Sequence, residues 1–93
     1  MRSALVVIPT YNEAQSIGEL LSSLKLLDCD VLVIDDGSPD GTASIIRMHG
    51  IEVIEREGKQ GLGSAYRTGF SIALQRGYTY VIQMDALNGE SES

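Results

Sequence analysis

The run Val31-Leu32-Val33-Ile34-Asp35-Asp36-Gly37-Ser38-Pro39-Asp40-Gly41-Thr42 reads as strand, turn and helix start. Val31–Ile34 is short, unbroken and apolar, the pattern of a strand covered on both faces. It ends on two adjacent carboxylates and a Gly-Ser-Pro-Asp-Gly turn. Behind the turn, Thr42–Met48 has the length of a short helix carrying Ile45 and Ile46. Three other runs resemble the first: Ala4–Ile8, Ile51–Ile54 and Tyr80–Met84. The gaps between them carry helical periodicity. Ile17, Leu20, Leu21, Leu24 and Leu27 fall on one stripe, and so do Leu62, Ala65, Tyr66, Gly69, Phe70 and Ala73.

The order is therefore β-α-β-α-β-α-β, which implies a three-layer α/β fold with a parallel sheet and right-handed crossovers. The third run alternates Ile51 and Val53 with Glu52 and closes on Glu55, as an edge strand does. A four-stranded sheet in the order 3-2-1-4 follows, Rossmann-like, with its topological switch point between strands one and four at their C-terminal ends. The fourth run reads as interior although this order leaves it at an edge. A fragment, or a chain completed by a partner, is the expected reason, and self-association through that open edge is the expected contact. Residues 1–86 are expected to hold the fold, and the acidic 87–93 to form a disordered tail.

Composition narrows the function. Ninety-three residues with 43% hydrophobic content make one small domain or part of a larger one. Thirteen acids against seven bases give a net charge of −6, which excludes general nucleic-acid binding. A single cysteine, Cys29, excludes an internal disulfide and makes a reducing, cytoplasmic compartment the default. The apolar run Ala4–Pro9 is far shorter than the roughly twenty residues of a transmembrane helix.

Four segments at strand ends could carry chemistry. Pro9-Thr10-Tyr11-Asn12-Glu13 offers a stacking face and polar groups for a base or ribose. A capped turn, with Thr10 or Asn12 as the cap and Pro9 ending ladder pairing, accounts for the same residues. Asp35-Asp36 is harder to explain as a turn, because adjacent carboxylates repel and are usually kept for a cation or for hydroxyl groups. Asp36, Ser38, Asp40 and Gly41 match the first half of an EF-hand loop, but Arg47 stands where a bidentate glutamate is needed. Gly58-Lys59-Gln60-Gly61-Leu62-Gly63-Ser64 is neither a Walker loop nor a dinucleotide fingerprint. It is still glycine-rich backbone entering a helix, with Lys59 and Arg67 placed to meet a phosphate. Asp85 closes the fourth strand. A receiver-like phosphoacceptor domain would need its acidic pair after strand one and its aspartate after strand three, whereas here they follow two and four.

Together Val7–Glu13, Val33–Thr42, Gly58–Ala65 and Met84-Asp85-Ala86 strongly resemble, in register, the N-terminal half of family 2 glycosyltransferases. Within that family the resemblance is greatest to polyprenol- (dolichol-) phosphate mannosyltransferases. It implies a GT-A fold and transfer of mannose from GDP-mannose to a polyprenyl phosphate, with a divalent cation, Mg²⁺ or Mn²⁺. It further implies that Pro9, Tyr11 and Glu13 line the nucleotide pocket. Ile34 and Asp36 would hold the base and ribose, and Lys59 and Arg67 would flank the nucleotide. Asp85 and Ala86 would open the Asp-x-Asp motif, with Asp85 as the metal ligand. Leu87 stands where the family has the second aspartate, and its side chain cannot bind a metal. A truncated or spliced domain is therefore expected, weak or inactive alone, with nucleotide binding insensitive to Mn²⁺. A non-catalytic nucleotide-binding module and a purely structural fragment are the alternatives. Contact with the cytoplasmic face of a membrane, which a lipid acceptor requires, would come from another segment or a partner.

Overall fold

The computed structural model describes residues 2–58 and 60–86. The elements run β1 (Ala4–Thr10), α1 (Ala14–Leu24), β2 (Asp30–Asp35), α2 (Thr42–Met48), β3 (Glu52–Glu55), α3 (Leu62–Arg76) and β4 (Tyr80–Gln83). The four strands are parallel and lie in the order β3-β2-β1-β4, as the sequence predicts.

Strand alternation divides the core into two layers. Val6 and Ile8 of β1 and Val33 of β2 face α1 and α2, where Ile17, Leu21, Leu24 and Ile46 cover them. Leu5, Val7, Leu32 and Ile34 face α3, against Ala65 and Ala73. Ile17 and Leu21 are completely buried, each contributing about 1.5–3 kcal/mol relative to exposure. The α3 face is lined by small residues because the helix lies close to the sheet at Gly69. A Cβ there would stand 2.3 Å from Val7 Cγ1.

Two expectations need correction. Helix α1 ends at Leu24 with Lys25 as its C-cap, so Leu27 falls beyond the stripe and is exposed. Pro9 does not end pairing with β2, because it is in register with Ile34, and Thr10 with Asp35. The reason is strand parity. The Thr10 carbonyl accepts from Asp36 N–H on the β2 side, and the Val7 carbonyl accepts from Met84 N–H on the β4 side. The donor that Pro9 lacks therefore faces β4, past the last β1–β4 pair, Val7 with Gln83. Strand β4 is an edge among the described residues, with Tyr80 63% and Ile82 43% exposed on its α1-side face. No described helix is long and apolar enough to cross a membrane. The tail expected over 87–93, including Leu87, lies outside the described residues, as does Lys59.

At the N-terminal end of the sheet the Tyr78 hydroxyl donates to Asp30 Oδ2 at 2.6 Å, tying the entry of β4 to that of β2. Burial and then the contact with Asp30 push the Tyr78 phenol up from 10.0 to about 12. A raised acid stabilises the fold while it stays protonated, and the unfolded chain loses its proton first. The Tyr78 contribution is therefore present below pH 10 and lost as pH rises towards 12. An absorbance titration of the four tyrosines should show Tyr78 ionising last. Tyr78→Phe should remove that last step and flatten the fall of Tm above pH 10. An unchanged titration curve in the variant would contradict the assignment.

Candidate functional site

The C-terminal ends of β1, β2 and β4 and the start of α3 enclose a cavity of about 330 Å³. Its walls are Pro9, Thr10, Tyr11 and Glu13 after β1, Asp36 after β2, Gly61 and Leu62 at the entry to α3, and Asp85 after β4. This is the switch-point crevice between β1 and β4.

The turn from β1 into α1 is built from a distance. Asn12 sits in the left-handed region at φ 55°. The amides that follow are taken by the Asp-Gly-Ser loop, not by a local cap. Asn12 N–H donates to Ser38 Oγ at 2.8 Å, Glu13 N–H to Thr42 Oγ1 at 3.0 Å and Ala14 N–H to Asp40 Oδ2 at 3.1 Å. The local cap expected of Thr10 or Asn12 is absent: no side chain caps α1 at its N-cap residue, Glu13. Asp40 also accepts the Thr42 hydroxyl, which is the main reason its carboxyl lies below the ordinary aspartate range.

The adjacent carboxylates point to different partners. Asp35 is fully buried and accepts the Thr10 hydroxyl at 2.6 Å, the Ser38 hydroxyl at 2.7 Å and Ser38 N–H at 2.9 Å. Asp36 accepts Arg56 Nε at 2.7 Å on one oxygen and Gln60 N–H at 3.1 Å on the other. The hydroxyls and the cation expected beside this pair are the protein's own. The Asp36–Arg56 ion pair is 8% and 9% exposed at its side chains, a desolvated pair of which Asp36 lines the cavity. The other Arg56 nitrogens reach Ser64 Oγ at 2.7 Å and, at 3.4 Å, Thr68 Oγ1 and the Gly61 carbonyl.

The structure brings Pro9, Tyr11, Glu13, Asp36 and Asp85 together around one cavity. The other expected residues stand elsewhere. Ile34 is fully buried in the α3-side core, so its side chain offers nothing to a ligand. Ala86 is buried against the α1-side core. Arg67 is exposed and lines a shallow groove on α3 with Ser64, Thr68, Ser71, Ile72 and Gln75. Among the described residues no three His, Cys, Asp or Glu side chains gather as a metal-holding group. Asp85 and Glu13 bring carboxylates to the cavity, and the Asp36 oxygens are bound to Arg56 and Gln60. Near Asp85, the Tyr66 phenol is raised first by burial and then by that carboxylate. It stacks on Phe70 with ring centroids 6.3 Å apart. Cys29, at the opposite end of the sheet, is raised by burial and by Asp30 and Asp28, which keeps its thiol protonated.

Sequence reasoning did not single out Arg56, and it named Thr10 and Leu62 only within their segments, as a cap candidate and a helix-stripe residue. The signal for Arg56 was available. Pairing the ends of the second and third runs, Ile34 with Ile54, sets Asp36 beside Arg56, and the observed register does pair those two isoleucines.

Comparison with known proteins agrees with this architecture. The chain is 44% identical over 89 residues to an undecaprenyl-phosphate mannosyltransferase of Micrococcus luteus, covering 88% of this chain and 37% of that protein. It is 40% identical over 93 residues to a polyprenol monophosphomannose synthase of Mycolicibacterium smegmatis, covering 88% and 34%. Glucosyl-3-phosphoglycerate synthase from Mycobacterium tuberculosis, crystallised with Mn²⁺, UDP and glucosyl-3-phosphoglycerate, superposes with a TM-score of 0.72 at 26% identity. That match covers 91% of this chain and 33% of the synthase. The same synthase has been crystallised with Mg²⁺ and UDP. The chain thus spans about a third of the length of these relatives, and its fold is that of the N-terminal part of GT-A glycosyltransferase structures. The profile of Glycosyl transferase family 2 matches residues 5–86, and the chain belongs to that family.

Proposed function

We propose that residues 1–86 form the donor-binding part of a glycosyltransferase that moves mannose from GDP-mannose to a polyprenyl phosphate. The observation that carries this reading is the switch-point cavity, where Pro9, Tyr11, Glu13, Asp36 and Asp85 converge from three strand ends. The names of the M. luteus and M. smegmatis relatives support the mannosyl and polyprenyl parts. The cavity's 330 Å³ lies at the small end of ligand pockets, room for a nucleoside more than for a whole nucleotide sugar. The sugar and the lipid acceptor would then be held largely by segments beyond these residues. Tyr11 supplies the aromatic face for the base. Glu13 supplies an oxygen acceptor for base or ribose donors, and Asp36, whose two oxygens are held by Arg56 and Gln60, adds only its remaining lone pairs. Arg67, which stands in the α3 groove and not in the cavity wall, would reach the phosphates only from outside the cavity.

A divalent cation, Mg²⁺ or Mn²⁺, belongs to the family reading and would meet Asp85 if present. A second reading, nucleotide binding without transfer, is favoured by Leu87, whose side chain cannot ligate a metal. Self-association through the open β4 edge remains part of both readings, since Tyr80 and Ile82 are exposed there.

Isothermal titration tests the donor. The mass of the chain in solution is measured first, and then GDP, GDP-mannose and UDP are titrated with and without Mn²⁺. GDP and GDP-mannose are expected to bind more tightly than UDP, with little response to Mn²⁺. Tyr11→Ala should weaken binding about tenfold or more, the worth of one stacked base. Equal affinity for UDP would refute the guanine assignment, and strong Mn²⁺ dependence would refute metal-independent binding. Release of mannose to a polyprenyl phosphate by this chain would exclude the second reading.

A further inference from the structure

We propose that Arg56 is a positioning residue that orders the glycine-rich loop ahead of α3 for an incoming nucleoside diphosphate sugar. This rests on the donor-binding reading above and adds to it a residue that is not itself among the cavity's lining residues but holds two that are, Asp36 and Gly61.

The geometry is a four-way clamp. Arg56 leaves the end of β3, where its own N–H donates to the Asp35 carbonyl at 2.7 Å. Its guanidinium then joins Asp36 on β2 to Ser64 in the first turn of α3 and, less closely, to the Gly61 carbonyl. Asp36 closes the circuit by accepting Gln60 N–H from inside the loop. Lysine could keep the charge but could not serve Asp36 and Ser64 together, because only the planar fork of arginine presents donors in two fixed directions.

The loop needs such a device. Gly58 and Gly61 both lie at positive φ, 71° and 100°, conformations that glycine reaches freely and leaves as freely. Unclamped, the loop would have to be ordered at the moment of binding, which lowers affinity. The clamp also acts on charge. In a chain of net charge −6, an unpaired Asp36 carboxylate in the cavity wall would repel a diphosphate, and the Arg56 guanidinium cancels it.

The test reads the loop and the ligand separately, on the full chain. In wild type, the Gln60 amide should exchange slowly by NMR because Asp36 accepts it. Arg56→Lys should speed Gln60 exchange by about tenfold, the worth of one charge-assisted hydrogen bond, while the amides of Leu32 and Val33 are unchanged. GDP affinity should fall by a similar factor. Ser64→Ala, which leaves the ion pair in place, should move both readouts in the same direction by less, and it carries the comparison if the lysine variant does not fold. Gln60 exchanging alike in wild type and both variants would overturn the proposal. So would a uniform rise across all amides, the sign of a merely structural arginine, and so would a loosened loop with unchanged GDP affinity. A wild-type chain with a protected Gln60 that binds no nucleotide would instead overturn the donor-binding reading alone.

Discussion

Arg56→Met is expected to lower the stability of the domain by roughly 3–5 kcal/mol, because it strands a buried carboxylate. Asp36 keeps only the Gln60 amide once the guanidinium is gone. A domain of this size has about 5–15 kcal/mol in total, so the loss would take from about a fifth to all of it. Asp36→Leu should be similarly damaging, since Arg56 would then face Ser64 and a carbonyl with no counter-charge. The double variant Asp36→Leu/Arg56→Met should recover much of the loss, for apolar residues often replace a buried pair at little cost. Urea denaturation of the four proteins gives the coupling energy directly. Additive losses would mean that the two charges do not act as a pair.

Gly69→Ala runs against helix propensity. In an exposed helix interior the change gains about 1 kcal/mol. Here the new Cβ would stand 2.3 Å from Val7 Cγ1, 2.9 Å from Cγ2 and 3.1 Å from Cβ. Val7 is fully buried on a central strand, and with both γ-carbons in the way no rotation clears the contact. Helix α3 must lift from the sheet, and overpacking of this kind costs about 1–3 kcal/mol. Set against the propensity gain, we expect a net loss of about 1 kcal/mol and at most about 2, with a Tm lower by roughly 4–16 °C. Gly63→Ala is the control: its Cβ meets only Arg67 Nη1, at 3.5 Å, so helix propensity should prevail and Tm should not fall. Gly69→Ala/Val7→Ala should be less unstable than the sum of its parts. A Gly69→Ala protein as stable as wild type would mean that α3 does not depend on that close approach.

Much of this molecule was written in its residue pattern. Strand order followed from four apolar runs and from the charges of Glu52 and Glu55, which marked β3 as an edge. The cavity followed from the order, because the switch point of a 3-2-1-4 sheet is fixed once the order is known. What escaped was chemistry made by long-range pairing. Asp35 and Asp36 looked like ligands because their neighbours in sequence could satisfy one carboxylate but not two: Ser38 serves Asp35, whereas the partner of Asp36, Arg56, lies twenty residues away. Ile34 and Ala86 were placed in the site by resemblance, but strand alternation turns Ile34 towards α3 and packing hides Ala86. Arg67 was placed by its distance along the chain from the glycines, whereas helical phase carries it to the outer groove.

The loop that anchors the first helix has a consequence for birth on the ribosome. Ser38, Asp40 and Thr42 accept the amides of Asn12, Glu13 and Ala14. Those partners are made only after the β1–α1–β2 unit, in the turn and at the start of α2. A nascent chain that has emerged only as far as Leu24 therefore holds a helix whose leading amides have none of these acceptors. The β1–α1 corner cannot close on its native hydrogen bonds until Thr42 has been made.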